Sequence, residues 1–153
     1  MKIVFFGDSI TAADRDRSDP SDLGSGYVGI LYEKLKNLYE STDFEFLNRG
    51  IGGDRVRDLE ARVDADVVAE RPDIAVVLVG INDVWRKYDS GAEFDLEQFS
   101  GSYEDVLKKI KDCGARLIAV EPFLFNVPDK KRFRREFDPL LAAIREMASR
   151  YAD

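Results

Sequence analysis

The sequence predicts an α/β protein built on a parallel sheet with helices on both faces. Two observations carry this. Four short apolar runs alternate with longer stretches of helical periodicity, and Gly, Asn or Pro follows each run. A third observation says where function lies. The segments just after the first three runs are rich in Gly, Asn, Asp and Ser, and open parallel sheets bind ligands at the carboxyl ends of their strands.

The elements follow in order. Residues 3–6 are a buried strand closed by Gly7, and residues 14–25, with Pro20 and Gly24, are a surface loop. Residues 27–39 carry Val28, Leu31, Leu35 and Leu38 at helical spacing. Phe44, Phe46 and Leu47 mark a second strand ending near Asn48. Val56, Leu59, Val63 and Val67 mark a second helix with charge on its other face. Residues 74–79, largely β-branched, are the third strand. Residues 87–100 read as polar and irregular. Tyr103, Val106, Leu107 and Ile110 then form a helical stripe closed by Gly114. Residues 117–120 are the fourth strand, stopped by Pro122. The final stripe runs from Phe133 to Tyr151 with Pro139 inside it. Either the helix kinks at Pro139, or Asp138 caps a fresh helix with Pro139 at its first position, and the second is favoured.

Composition narrows the function. The chain has 153 residues, 44% hydrophobic and 35% charged, enough for one domain with a real core. Thirty acidic against 23 basic residues give a net charge of −7, which disfavours nucleic-acid partners. There is no histidine, so no histidine metal site, histidine base or Ser-His-Asp triad lies within these residues. The single Cys113 permits neither an internal disulfide nor a cysteine zinc cluster, and its place at a helix end reads as packing. No apolar run approaches the roughly 18 residues of a membrane span, and the N-terminal run is too short for a signal peptide. A cytoplasmic location is therefore the expectation.

The three strand-end segments carry the chemistry. Gly7-Asp8-Ser9-Ile10-Thr11 places a hydroxyl on a sharp turn, either as an exposed nucleophile or as a plain helix cap. Gly50-Ile51-Gly52-Gly53-Asp54 lets a backbone N–H approach a ligand, and Gly80-Ile81-Asn82-Asp83 offers a neutral amide donor. Each alone is also ordinary turn chemistry. Together, at one sheet edge, they supply a hydroxyl nucleophile, a backbone donor and a side-chain donor, most of an acyl-transfer site.

These segments resemble the blocks of the SGNH, or GDSL, esterase family. Gly7-Asp8-Ser9-Ile10 is similar to its first block, Ile51-Gly52-Gly53-Asp54 to its second and Gly80-Ile81-Asn82-Asp83 to its third. The resemblance runs over essentially the whole chain and is strongest to bacterial intracellular acetylxylan esterases, through Gly24-Ser25-Gly26-Tyr27-Val28, Val56-Arg57-Asp58-Leu59-Glu60-Ala61-Arg62 and the stretch from Gly80 to Arg86. It implies a flavodoxin-like three-layer α/β/α domain over residues 1–153, strand order 2-1-3-4. It implies Ser9 as nucleophile and the Ser9 and Gly53 N–H groups with the Asn82 amide as oxyanion hole, supported by Asp8 and Asp83. No metal or organic cofactor is implied.

The resemblance also implies a C-terminal D-x-x-H block and a fifth strand, which are not found before Asp153. The expectation is a chain truncated at its C-terminus, nearly inactive, with the fourth strand an unprotected edge open to self-association or to pairing with a separate C-terminal piece. The expected substrate is an ester, with short acyl groups, acetyl above all, on xylo-oligosaccharides. Trp85 and Tyr88 either contact the substrate or anchor their own loop. Arg55 and Arg57 face either the cleft or solvent. Asp129, Lys130 and Lys131, in the loop after the fourth strand, read as a solvated charge run. Two other classes stand beside the esterase. One is a carbohydrate-binding module using the same cleft without turnover. The other is a phosphate- or flavin-binding domain, for which no G-x-G-x-x-G or Gly-Lys-Ser/Thr loop is present.

Overall fold

The computed structural model describes residues 1–153. Four parallel strands form one sheet in the order β2-β1-β3-β4: β1 (Lys2–Gly7), β2 (Glu45–Gly50), β3 (Ile74–Leu78) and β4 (Arg116–Ala119). Parallel strands need crossovers, and these are made by α2 (Tyr27–Leu38), α3 (Val56–Val63) with a π-helical turn (Asp64–Val68), and α5 (Leu96–Asp112). The chain closes with α6 (Arg134–Tyr151).

Alternation along β1 decides which side chain meets which layer. Val4 and Phe6 enter the larger core with Leu59 and Val63 of α3, Leu107 and Ile110 of α5, and Leu140 and Ile144 of α6. Ile3 and Phe5 face the other way, where Phe46 and Val76 join them under Val28 of α2. Edge-on aromatic contacts hold α2 there: Tyr27 lies 5.8 Å from Phe5, and Tyr32 lies 5.3 Å from Phe46, between ring centroids. This second face is covered by one helix only, and Ile118 of β4, in register with Val76, is left 44% exposed.

Two expectations need correction. Residues 87–100 are not irregular throughout: α4 (Ile81–Asp89) ends inside that stretch and α5 begins at Leu96. Ile81, Val84, Trp85 and Tyr88 supply an i, i+3, i+4, i+7 stripe. The Asp95 side chain caps α5, accepting from the Glu97 and Gln98 N–H groups at 2.9 and 3.1 Å. Nor does a fresh helix begin at Pro139. A 3-10 turn (Pro128–Phe133) leads directly into α6, Pro139 lies in its second turn, and Asp138 pairs with Arg134 rather than capping. The missing Pro139 N–H costs one bond, to the Arg135 carbonyl. The buried stripe of Phe133, Phe137, Leu140 and Ile144 runs unbroken past it and outweighs that loss.

The edge of β4 is partly closed. Leu117 donates its N–H to Asp153 Oδ2 at 2.7 Å, and the Asp153 N–H donates to the Leu117 carbonyl at 2.9 Å. These are groups that a neighbouring strand would otherwise take. No helix is long and apolar enough to cross a membrane.

The registers bring the three sequence segments together. Gly7 lies opposite Gly50 on one side and Leu78 on the other, so the chains leaving β1, β2 and β3 emerge side by side. Packing there leaves no room for side chains. A Cβ on Gly50 would lie 2.2 Å from the Ala12 backbone nitrogen, because α1 (Ser9–Ala12) rests directly on the end of β2.

Candidate active site

The turn after β1 is shaped by Asp8. Its backbone is extended and its Oδ1 accepts the Ile10 N–H at 3.0 Å, so Asp8, not Ser9, caps the short helix α1. Ser9 is thereby freed from capping and stands exposed at the helix start. Asp8 is completely buried and its Oδ2 has no hydrogen-bond partner. Burial pushes its carboxyl up to about 6, helped by the nearby charge of Asp54 and opposed by the Ile10 N–H.

The turn after β2 is pinned to β1. The Ile51 N–H donates to the Gly7 carbonyl at 3.0 Å, and a Cβ placed on Gly52 would lie 3.9 Å from Ser9 Cβ. Gly53 has a φ of +87°, a conformation that costs other residues energy. Asn48, buried at the end of β2, donates to the Thr11 and Leu23 carbonyls at 2.7 and 2.8 Å and accepts the Gly50 N–H at 2.9 Å. It ties α1, the loop before α2 and the glycine turn into one unit.

After β3, α4 begins at Ile81. Its Asn82 donates one amide hydrogen of Nδ2 to the Asp54 carbonyl at 3.0 Å. The amide carries two hydrogens, so the second is free for a ligand. Asp83 turns the other way: both its oxygens accept the Val56 N–H, at 3.3 and 3.2 Å, and fix the start of α3. Burial pushes its carboxyl up to about 7.

Ser9, Gly53 and Asn82 line one cleft of about 570 Å³. Its walls are mostly apolar: Ile10, Leu78, Ile81, Trp85 and the segment carrying Pro122, Phe123, Leu124, Phe125 and Val127. The charged groups on it are Arg86, Asp89 and Lys130. Arg86 Nη1 pairs with Asp89 at 2.7 Å, while Nη2 lies 3.1 Å from where a Gly53 Cβ would be. Lys130 does not stand off in solvent as a charge run would. Its Nζ lies 4.1 Å from the Trp85 ring centroid and 3.4 Å from an Asp129 carboxylate oxygen.

Trp85 lines the cleft, but Tyr88 and Arg55 do not. The Tyr88 hydroxyl donates to Glu136 and lies 2.8 Å from the Arg132 carbonyl, and its ring packs 4.3 Å from Phe133, so it anchors α6 to α4. Arg55 lies beside Asp83 on a separate, smaller pocket and pairs with Asp58 at 3.5 Å. Cys113 ends α5, its thiol on the Ile110 carbonyl at 3.0 Å. Sequence reasoning missed Arg86, whose i+4 spacing from Asn82 was the available signal. It also missed the apolar wall at 122–127, whose Phe-Leu-Phe pattern reads equally as loop or strand. No group of three or more His, Cys, Asp or Glu is gathered as a metal centre.

Residues 5–153 match the profile of the GDSL-like lipase/acylhydrolase family. The chain belongs to that family. It is a carboxylic ester hydrolase with the SGNH α/β fold. It is similar to the acetylxylan esterase of Geobacillus stearothermophilus, 33% identical over 155 residues, covering 96% of this chain and 71% of that protein. The crystal structure of that organism's acetylxylan esterase Axe2 superposes with a TM-score of 0.90 at 31% identity, covering 98% of this chain and 72% of the other. LAE5, an α/β hydrolase from the metagenome of Lake Arreo, Spain, gives a TM-score of 0.88 at 30% identity, covering 98% of this chain and 73% of the other.

Proposed function

We propose that this GDSL-like hydrolase removes acetyl groups from carbohydrate esters such as xylo-oligosaccharides, with Ser9 as nucleophile. The observation that carries the reading is the meeting of Ser9, Gly53 and Asn82 on one apolar cleft beside Trp85. The likeness to an acetylxylan esterase supports the substrate class.

In this reading the ester carbonyl sits above the glycine turn and Ser9 Oγ attacks it. The tetrahedral oxyanion is held by the Ser9 and Gly53 N–H groups and the free amide hydrogen of Asn82, each donor worth on the order of 3 kcal/mol in a water-poor site. Asp8 keeps the turn rigid through Ile10, and Asp83 keeps α3 in place behind the glycine turn. The alkoxide leaves as the carbonyl re-forms, and water then releases acetate from Ser9. Both proton transfers need a base and an acid. The 153 residues contain no histidine to supply them. Serine proteases stripped of a triad member still retain about 10³–10⁴-fold catalysis over water, a ceiling for what the remaining groups supply.

The test is hydrolysis of p-nitrophenyl acetate and of acetylated xylo-oligosaccharide by this chain beside Ser9→Ala. A rate above background that disappears in Ser9→Ala is the expected result. Equal rates in the two proteins would refute the role of Ser9. The lack of histidine favours a second reading, capture of the acetylated sugar without turnover. That reading predicts equal binding by wild type and Ser9→Ala, with no acetate released by either.

A further inference from the structure

Arg62 lies on α3, outside the cleft, yet it touches the ends of β1 and β2, two of the strand ends that build the cleft. Its side chain is 16% exposed and all three guanidinium nitrogens are engaged. Nη2 donates to the Gly7 carbonyl at 3.1 Å, at the residue preceding Asp8 and Ser9. Nη1 donates to the Arg49 carbonyl at 2.9 Å, where β2 gives way to the glycine turn. Nε and Nη2 each lie 2.9 Å from Asp54 Oδ2, beside Gly53. Asp66, one turn further along, takes Nη1 at 2.5 Å. The guanidinium carbon sits 4.4 Å from the centroid of Phe6, the core residue before Gly7. The backbone carbonyl of the same Asp54 accepts the Asn82 amide. One cation therefore connects the nucleophile turn, the glycine turn and, through Asp54, the side-chain donor.

We propose that Arg62 is the positioning residue that sets the distance from the nucleophile to the oxyanion donors, by clamping the Gly7 and Arg49 carbonyls and the Asp54 carboxylate with one guanidinium. The inference rests on the esterase reading above for its catalytic meaning. Only a planar, multiply donating group serves these acceptors together. The single ammonium of lysine keeps the charge but not the geometry. The clamp also offsets the half-buried negative charge of Asp54 close to Asp8. Positioning matters for rate more than for affinity, since a displacement of about 1 Å in a reacting geometry can cost on the order of 100-fold.

The experiment compares the 153-residue chain with Arg62→Lys in two ways. In amide NMR spectra, the Gly53 N–H and the Asn82 side-chain NH₂ should shift or broaden, while core amides such as Val77 and Leu107 stay in place. In p-nitrophenyl acetate hydrolysis, the Ser9-dependent kcat should fall at least about tenfold with KM nearly unchanged. Unmoved Gly53 and Asn82 signals, or a change confined to KM, would overturn the proposal. If Arg62→Lys does not fold, Asp54→Asn serves instead, because it keeps the carbonyl for Asn82 while weakening the grip of Arg62. The same two signals must then move. Hydrolysis that survives Ser9→Ala overturns the esterase reading alone, and the NMR signals still decide the role of Arg62.

Discussion

Asp8→Asn should raise stability at alkaline pH and lose that advantage in acid. The native Asp8 carboxyl titrates at about 6 against an ordinary 3.8, because it is buried with one oxygen unpartnered. A carboxyl raised by about 2 units binds its proton more tightly in the folded chain than in the unfolded one. Its contribution is therefore most favourable below about pH 4 and is lost as pH rises through 6, at about 1.4 kcal/mol per unit. The full swing is about 3 kcal/mol. Asparagine keeps the Oδ1 acceptor for the Ile10 N–H and replaces the charged oxygen by a neutral amide. That amide is itself unpartnered, at a cost of about 1–3 kcal/mol, so the net gain at pH 8 is about 0–2 kcal/mol. For a domain of this size the corresponding rise in Tm is at most about 8 °C. The assay is urea unfolding of both proteins at pH 4.5 and pH 8. Taking the difference between them at each pH cancels every other titrating group. Equal differences at the two pH values, or an Asp8→Asn protein less stable at pH 8, would refute the claim that this carboxylate is buried at a cost.

Three other outcomes follow from the same geometry. Asn82→Ala should reduce the Ser9-dependent rate by about 10²–10³-fold with little change in KM, the loss of one oxyanion donor; a purely KM effect would remove Asn82 from that role. Gly50→Ala should destabilise by about 3 kcal/mol or leave the chain unfolded, since its Cβ meets backbone of α1 that cannot step aside; circular dichroism melts check this, and a Tm within 2–4 °C of wild type, about 1 kcal/mol, would show the contact to be soft. Asp153→Ala should free the Leu117 N–H on the β4 edge and increase self-association in sedimentation velocity; an unchanged monomer fraction would show that this bond does not guard the edge.

Much of the fold was legible because its signals are local. The strands at residues 3–6 and 74–79 are dense in β-branched and aromatic side chains, and a sheet buried on both faces requires that density. The helix at 81–89 and the first turns of the helix at 96–112 were harder to see. Their stripes start beside turn residues that look like loop, and the cap at Asp95 becomes visible only once the helix after it is known. Pro139 misled because a proline usually marks a helix start. In α6 the apolar stripe on both sides of it overrides that preference.

The site divides along a similar line. Ser9, Gly53 and Asn82 could be found because a nucleophile on a turn, a glycine with positive φ and an amide after a strand all restrict residue type. Tyr88 and Arg55 could not be placed, because an aromatic or a cation near a motif can point either way, and the packing of α6 and the cap of α3 drew these two elsewhere. Arg62 is the extreme case. Along α3 it falls among Asp58, Glu60 and Asp64, where a charge looks like solvated surface. Two of its four acceptors are the carbonyls of Gly7 and Arg49, groups present at every residue that therefore leave no mark in a sequence. Only the register Gly7 to Gly50 brings those carbonyls within reach of one guanidinium. A site assembled from backbone groups is thus written in the sequence by the residues that must be small, while the residue that holds those groups together becomes visible only in the fold.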